Sequence, residues 1–226
     1  MSELRYLGHS AFYIKSGSFG ILIDPFLTGN PKANFDWKTE KITHIFVTHA
    51  HMDHLGDAIP ISIATGAKIY AVFELANFCA SKGAKAVGVG IGAEIETEWG
   101  SFRFVPAVHT SSNPELPYGG LAAGVIINID DTSIYHAGDT SLTSEMQLIR
   151  ELYQPYYSIL PVGGYYTMGI KEAAEAAKML FSMEIIPMHY NTFPQIQVNI
   201  NEFKEMIEAQ GQACSVLGIN ESIEFE

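Results

Sequence analysis

The chain has 226 residues, 47% hydrophobic and 17% charged, with a formal net charge of −12. A chain of this length buries about 70% of its unfolded surface, so the composition describes a packed globule and excludes a disordered or fibrous protein. So negative a surface repels phosphate backbones and argues against broad nucleic-acid binding, although a metal pair could still attract a small anionic substrate.

The N-terminal residues Met1–Arg5 lack a charged-then-apolar signal, and no apolar run reaches the roughly 20 residues that span a bilayer. Cys79 and Cys214 lie far apart in no metal-binding spacing, which suits two inert buried thiols in a reducing cytosol better than a disulfide. The expectation is a cytoplasmic protein with no membrane partner, folded as one domain over residues 1–226 because no linker interrupts it. The sequence leaves the oligomeric state open, two-fold homodimers being the commonest outcome.

The first half opens on strand signals. Ala11–Lys15 and Gly20–Asp24 are short and rich in β-formers, with the turn cluster Ser16-Gly17-Ser18 between them and Pro25 after the second. Residues 26–41 predict a surface loop with one short helical turn. Ile42–Thr48 reads as a buried strand running directly into His49. A helix is expected over Asp57–Thr65 with Pro60 in its first turn. A strand over Lys68–Val72 comes next, then a helix over Phe73–Lys82 closed by Gly83. Short strands are predicted at 86–88, 94–98 and 102–108.

In the second half, Ala122–Ile129 and Thr132–His136 form a hairpin over Asp130-Asp131. Helices are expected over Ser144–Tyr153, Ile170–Phe181 and Asn201–Gln210, the middle one with apolar residues spaced by three and four. Strands are expected over Tyr157–Pro161, Ile185–Met188 and Ala213–Gly218. Many short strands, with helices late in each half, predict an α/β (α+β) protein with sheet packed on sheet and helices outside.

The most informative stretch is Thr48-His49-Ala50-His51-Met52-Asp53-His54-Leu55-Gly56-Asp57, where four metal-binding side chains fall within six residues. At a strand end, alternate side chains such as His49 and His51 converge on one point, and Asp53 and His54 turn towards a neighbouring point as a helix begins. Imidazole and carboxylate together suit zinc, iron, nickel and manganese. A histidine-rich surface loop is the plainer alternative, but such a loop has no reason to begin where a buried strand stops.

His-Xaa-His-Xaa-Asp-His resembles the signature of the metallo-β-lactamase superfamily, and the likeness covers essentially the whole chain. Later metal-binding positions of that family follow in order, each after a strand: His109 after Phe104–Val108, Asp139 in Tyr135-His136-Ala137-Gly138-Asp139-Thr140, and His189 after Ile185–Met188. The resemblance implies the four-layer αββα sandwich of that fold and two divalent metal ions. His49, His51 and His109 would bind one ion, Asp53, His54 and His189 the other, and Asp139 would bridge them. Zinc is the first choice for so many histidines, with manganese, iron and nickel as alternatives. A bridging hydroxide would be the nucleophile of a hydrolase, with Asp53 also orienting it and carrying its proton.

Departures within the superfamily narrow the chemistry. β-Lactamases of this fold place a cysteine where this chain has Asp139, and redox di-iron relatives place a glutamate where it has His51. RNA-processing relatives add an RNA-binding arm, for which this chain is too short and too acidic. The motifs Tyr6-Leu7-Gly8-His9-Ser10, Gly163–Gly169 and Pro187–Pro194 are similar to those of small prokaryotic metal-dependent hydrolases in the lactonase-like branch. The expected reaction is hydrolysis of an ester, lactone or phosphodiester bond in a small molecule. A nuclease or cyclic-nucleotide phosphodiesterase, and a non-catalytic metal-binding or sensing protein, are the competing readings.

Further positions carry weaker signals. His9, after a strand and a glycine, could face substrate or support the site, or be a local structural histidine. Asp24, at a strand end, could hold the free N–H of a metal-bound imidazole. His136 is expected to pack or to support Asp139 rather than bind metal, and His44 to be structural. Tyr165, Tyr166 and Thr167 could line the pocket, as could one of Tyr190, Asn191 and Thr192.

Overall fold

The computed structural model describes all 226 residues. Strands β1 (Ser2–Gly8), β2 (Ala11–Ser16), β3 (Phe19–Ile23), β4 (His44–Phe46), β5 (Lys68–Val72) and β6 (Ala86–Val89) build most of a first sheet. A second sheet follows in β7 (Glu94–Thr97), β8 (Gly100–Pro106), β9 (Ala123–Ile129), β10 (Thr132–His136), β11 (Tyr157–Pro161), β12 (Glu184–Met188) and β13 (Ala213–Cys214). The chain then returns to the first sheet with β14 (Ser222–Phe225), giving two seven-stranded sheets in the orders 14-1-2-3-4-5-6 and 13-12-11-10-9-8-7.

Helices α1 (Met52–Leu55), α2 (Ala58–Thr65) and α3 (Phe73–Ser81) belong to the first half, and α2 and α3 pack on β5 and β6. Helices α4 (Glu145–Tyr153), α5 (Ile170–Leu180) and α6 (Ile200–Ala209) pack on one another and on β11 and β13. The result is the expected αββα layering, formed because each sheet buries one face against the other sheet and the other face against helices.

The contact between the sheets is aromatic. Phe46 of β4 meets Phe102 of β8 edge-on at 4.7 Å between ring centroids, and Tyr70 of β5 meets the same ring at 4.8 Å. These rings belong to a continuous cluster of 59 buried hydrophobic residues. Cys79 and Cys214 are free thiols, both buried. No helix is long and apolar enough to cross a membrane.

Direction matters more than layering for the site. β1 and β3 both pair antiparallel with β2, so they run the same way, and β4 continues that direction beside β3. In the other sheet β8 and β10 both pair antiparallel with β9, and β11 and β12 run parallel to β10. All the candidate site residues follow the carboxyl ends of these co-directional strands, where open α/β sheets place their ligands.

Several elements differ from expectation. β14 went unread because its one partner, β1, lies more than 200 residues away, and β1 itself, which also pairs with β2, was recognised only as an unbounded strand before Gly8 and His9. The strand expected over Ile42–Thr48 is confined to His44–Phe46, since the next residues leave the ladder to enter the metal-binding loop. The last strand is two residues long rather than six, because the chain turns through Gly218–Asn220 (Asn220 φ 64°) into β14.

Phe46 sits in both the aromatic contact and the strand that delivers the metal-binding loop. Replacing Phe46 by alanine is expected to destabilise the protein by about 3–5 kcal/mol in urea unfolding. A loss below about 1 kcal/mol would show that the sheets do not depend on this ring.

Candidate metal centre

The short helix α1 turns His49-Ala50-His51-Met52-Asp53-His54 back on itself so that its four polar side chains face one cleft. Two groups of potential donor atoms form there, each with its atoms within 4.8 Å of one another: His49, His51, His109 and Asp139, and His9, Asp53, His54 and His189. Asp139 lies between the groups. Its Oδ2 is 3.4 Å from His109 Nε2, 3.9 Å from His49 Nε2 and 3.2 Å from His189 Nε2, and its Oδ1 is 3.2 Å from His54 Nε2.

The far side of each imidazole explains why these nitrogens point inward. Asp24 Oδ2 accepts from His54 Nδ1 at 2.7 Å and from the Thr48 hydroxyl at 2.7 Å, and its Oδ1 accepts from the Thr48 N–H at 2.8 Å. With its proton given to Asp24, Thr48 Oγ1 accepts from His49 Nδ1 at 3.0 Å. One buried carboxylate thus fixes the tautomers of two imidazoles, leaving both Nε2 lone pairs free for a cation. His51 is turned the other way: its Nε2 is 3.3 Å from Thr110 Oγ1, and its Nδ1 faces His49 Nε2 at 2.9 Å.

The donor set fits metal ions. His54 Nε2, His189 Nε2 and Asp139 Oδ1 are buried with no hydrogen-bond partner, although buried polar atoms nearly always have one. Orphaned atoms aimed at one another across 3–4 Å are what cations between them would satisfy.

His9 is fully buried. Its Nε2 is 3.0 Å from Asp53 Oδ2 and its Nδ1 is 3.0 Å from Thr192 Oγ1. Burial, reinforced by His189, lowers its pKa to about 4 against the hydrogen bond it donates to Asp53. The ring is therefore neutral; its single proton serves the carboxylate, and the Thr192 hydroxyl donates to Nδ1.

The remaining titrations follow the carboxylates. Burial works to raise Asp139, but His189 and His54 hold it well below the usual carboxylate range. Burial likewise works against Asp53, which hydrogen bonds to His189 and His9 hold low. Conversely, burial would lower His54 and His189, yet Asp139 and Asp24 push His54 well above the ordinary imidazole value, and Asp139 pushes His189 up to about 9. Burial dominates at His49, His51 and His109, all lowered.

Backbone strain marks the same residues. His9, Asp24 and His189 have φ of 60°, 45° and 55°, a left-handed region that non-glycine residues seldom occupy. Gly138, at φ 61°, is required before Asp139, since a Cβ there would meet Ala123 O at 2.7 Å.

Residues 3–189 match the beta-lactamase superfamily domain, a span that contains every one of these donors. The UPF0173 metal-dependent hydrolase of Pyrococcus abyssi is 44% identical over 100% of both chains, and that of Thermus thermophilus is 41% identical over 93% of both. The chain belongs to the UPF0173 metal-dependent hydrolases. Igni18, described as a novel metallo hydrolase from the archaeon Ignicoccus hospitalis, is 39% identical and superposes with a TM-score of 0.92 over 100% of this chain and 99% of its own.

Within this UPF0173 framework, the seven positions expected to hold metal lie together, His9 joins the second group with its Nε2 on Asp53, and Asp24 stands directly behind His54. His136 is apart from the donors: its Nε2 donates to Ser10 O at 2.9 Å and its Nδ1 accepts from the Gly138 N–H at 3.2 Å, supporting the Asp139 turn. His44 stacks on Tyr70 at 5.9 Å, a packing role. Tyr166 lines the cleft, whereas Thr167 bonds locally to Met168 O and Asn191 pairs with Val198 within its own loop. Sequence reading missed Thr48, Thr110, Phe193 and Gln195. Thr48 had a signal, a hydroxyl beside the first histidine; the others had none.

Asp24→Ala removes the acceptor for His54 Nδ1 and the Thr48 hydroxyl, and is expected to weaken metal binding about 10–100-fold in chelator competition. Unchanged affinity would mean that these imidazoles are held by packing alone.

The pKa directions predict a proton exchange. At pH 7 the raised values leave His54 and His189 protonated in protein stripped of metal, and a ligating imidazole must be neutral. Metal loading therefore expels protons, and affinity should rise with pH towards about 9, where His189 no longer holds its own. Calorimetry in buffers of different ionisation enthalpy measures the release; uptake, or none, would contradict the assignment.

Proposed function

We propose that this chain is a two-metal hydrolase that cleaves an ester, lactone or phosphodiester bond of a small molecule. His49, His51 and His109 hold one ion, Asp53, His54 and His189 the other, and Asp139 is shared. Zinc suits so many imidazoles best, and manganese, iron and nickel also suit the mixed donor set. The observation that carries the reading is the position of Asp139, whose Oδ2 faces His109 of one donor group and His189 of the other while its Oδ1 faces His54. The two buried free thiols support a reducing, cytoplasmic setting.

Metal ions bound there supply a water of lowered pKa and polarise the bond to be cut. The protein supplies the rest. Asp53 is the carboxylate that reaches the cleft, its side chain 30% exposed against 3% for Asp139. With Oδ2 held by His9, Asp53 orients the attacking water and takes its proton. Thr192 keeps the His9 ring from rotating away. The cleft, of about 520 Å³, admits a small molecule and leaves room for the reacting group beside both donor groups.

Asp139→Ala is the decisive variant. Metal content should fall, and turnover of any ester, lactone or phosphodiester accepted by the parent protein should drop at least about a hundredfold. Retention of both would exclude a two-metal mechanism.

A further inference from the structure

Beyond the donors, the cleft is walled by Thr110, Tyr166, Phe193, Pro194 and Gln195. No lysine or arginine lines it, and its only carboxylates, Asp53 and Asp139, are already engaged by histidines. Elsewhere, cations such as Arg5, Lys82 and Arg103 are paired with glutamates. Resting on the hydrolase reading above, we infer that the substrate is an uncharged ester or lactone whose non-reacting part is a flat apolar group seated against Phe193 and Tyr166.

The two rings are held in place. Phe193 lies edge-on to His9 at 5.3 Å and 6.3 Å from Phe26, so its position is tied to the site itself. Tyr166 stands on a turn pinned by Gly164 N–H to Met168 O at 2.9 Å and Tyr166 N–H to Gly164 O at 2.6 Å. Its neighbour Tyr165, at φ 57°, packs against it at 4.7 Å. Tyr166 is 51% exposed, so a pinned turn holds a large ring out over the cleft instead of burying it. An aromatic wall stabilises a flat apolar group by area and edge contact. A second carboxylate or phosphate on the substrate would lose water against these rings with no cation to replace it. A distal ammonium would find no free carboxylate, and its attraction to the ring faces would be opposed by repulsion from the two cations of the proposed metal pair.

The test uses metal-loaded protein and phenyl acetates carrying a para-methylene group that ends in methoxy, carboxylate or trimethylammonium, so that the leaving groups remain matched. The neutral ester should exceed both charged ones in kcat/KM by at least about tenfold, equivalent to about 1.4 kcal/mol. Calorimetry with the corresponding phenols reads the same preference without turnover, and Phe193→Ala should weaken the neutral phenol about tenfold. Phe193→Leu should weaken it less and guards against a merely misfolded variant. Equal turnover of neutral and charged esters, or preference for a charged one, overturns the inference and leaves the hydrolase reading standing. Preferential binding of the neutral phenol without turnover of any ester leaves the apolar seat standing but overturns both the ester or lactone assignment and the hydrolase reading.

Discussion

Asp24 holds the two halves of the metal-binding loop in register. Its carboxylate, wholly buried, accepts the Thr48 N–H, the Thr48 hydroxyl and His54 Nδ1. Through Thr48 it also reaches His49. Each accepted proton settles a question that imidazole chemistry otherwise leaves open, namely which nitrogen keeps a lone pair. Without Asp24, three donors would be stranded in a water-free interior, at about 1–3 kcal/mol each. The loop would then relax towards whatever partners it could find, and the lone pairs would no longer converge.

That register depends in turn on strand direction. β3 delivers Asp24 and β4 delivers Thr48 from adjacent parallel strands, so that Asp24 N–H can donate to Phe46 O at 2.9 Å and carry the carboxylate to the neighbouring loop. β12 ends at His189, whose N–H donates to His9 O at 2.8 Å, joining the second sheet to the end of β1 in the first. The left-handed turns at His9, Asp24 and His189 cost about 1–3 kcal/mol each. They persist because a core of 59 buried residues fixes the strands that lead into them.

Much of this was legible from sequence because it is local. His49, His51, Asp53 and His54 lie within one turn of chain, and each later donor follows a recognisable apolar strand. Family likeness then ordered the donors into two sites. What could not be read was pairing over distance: β1 with β14, His9 with Asp53, Asp24 with Thr48. Tertiary packing decides such contacts, and periodicity carries no trace of it. Thr192 was one of three equal candidates beside His189, and only the fold distinguishes the hydroxyl that turns to His9 from the asparagine that serves its own loop. Phe193 lies inside the Pro187–Pro194 motif but nothing in the sequence marks it as a wall of the cleft, and Gln195 lies in no motif, so the motifs pointed to a reaction class more closely than to a substrate.

The charge balance of the cleft ties these features together. Asp53 and Asp139 are held ionised, and His54 and His189 readily take protons beside them, so the site can approach neutrality before any metal arrives. Its donors are aimed by Asp24, Thr48 and Thr110, which need no ion to make their hydrogen bonds. The architecture is therefore prepared for metal, unlike small domains that fold only around one. On the proposed two-metal reading, exchanging two protons for two divalent ions would make the floor of the cleft strongly positive within a protein of net charge −12. That field would be strongest at the reacting group nearest the ions, since the cleft wall beyond the donors adds no charge of its own. On that reading a carbonyl oxygen gaining negative charge would be stabilised where it forms, while the rest of the molecule would be selected by shape and apolar contact.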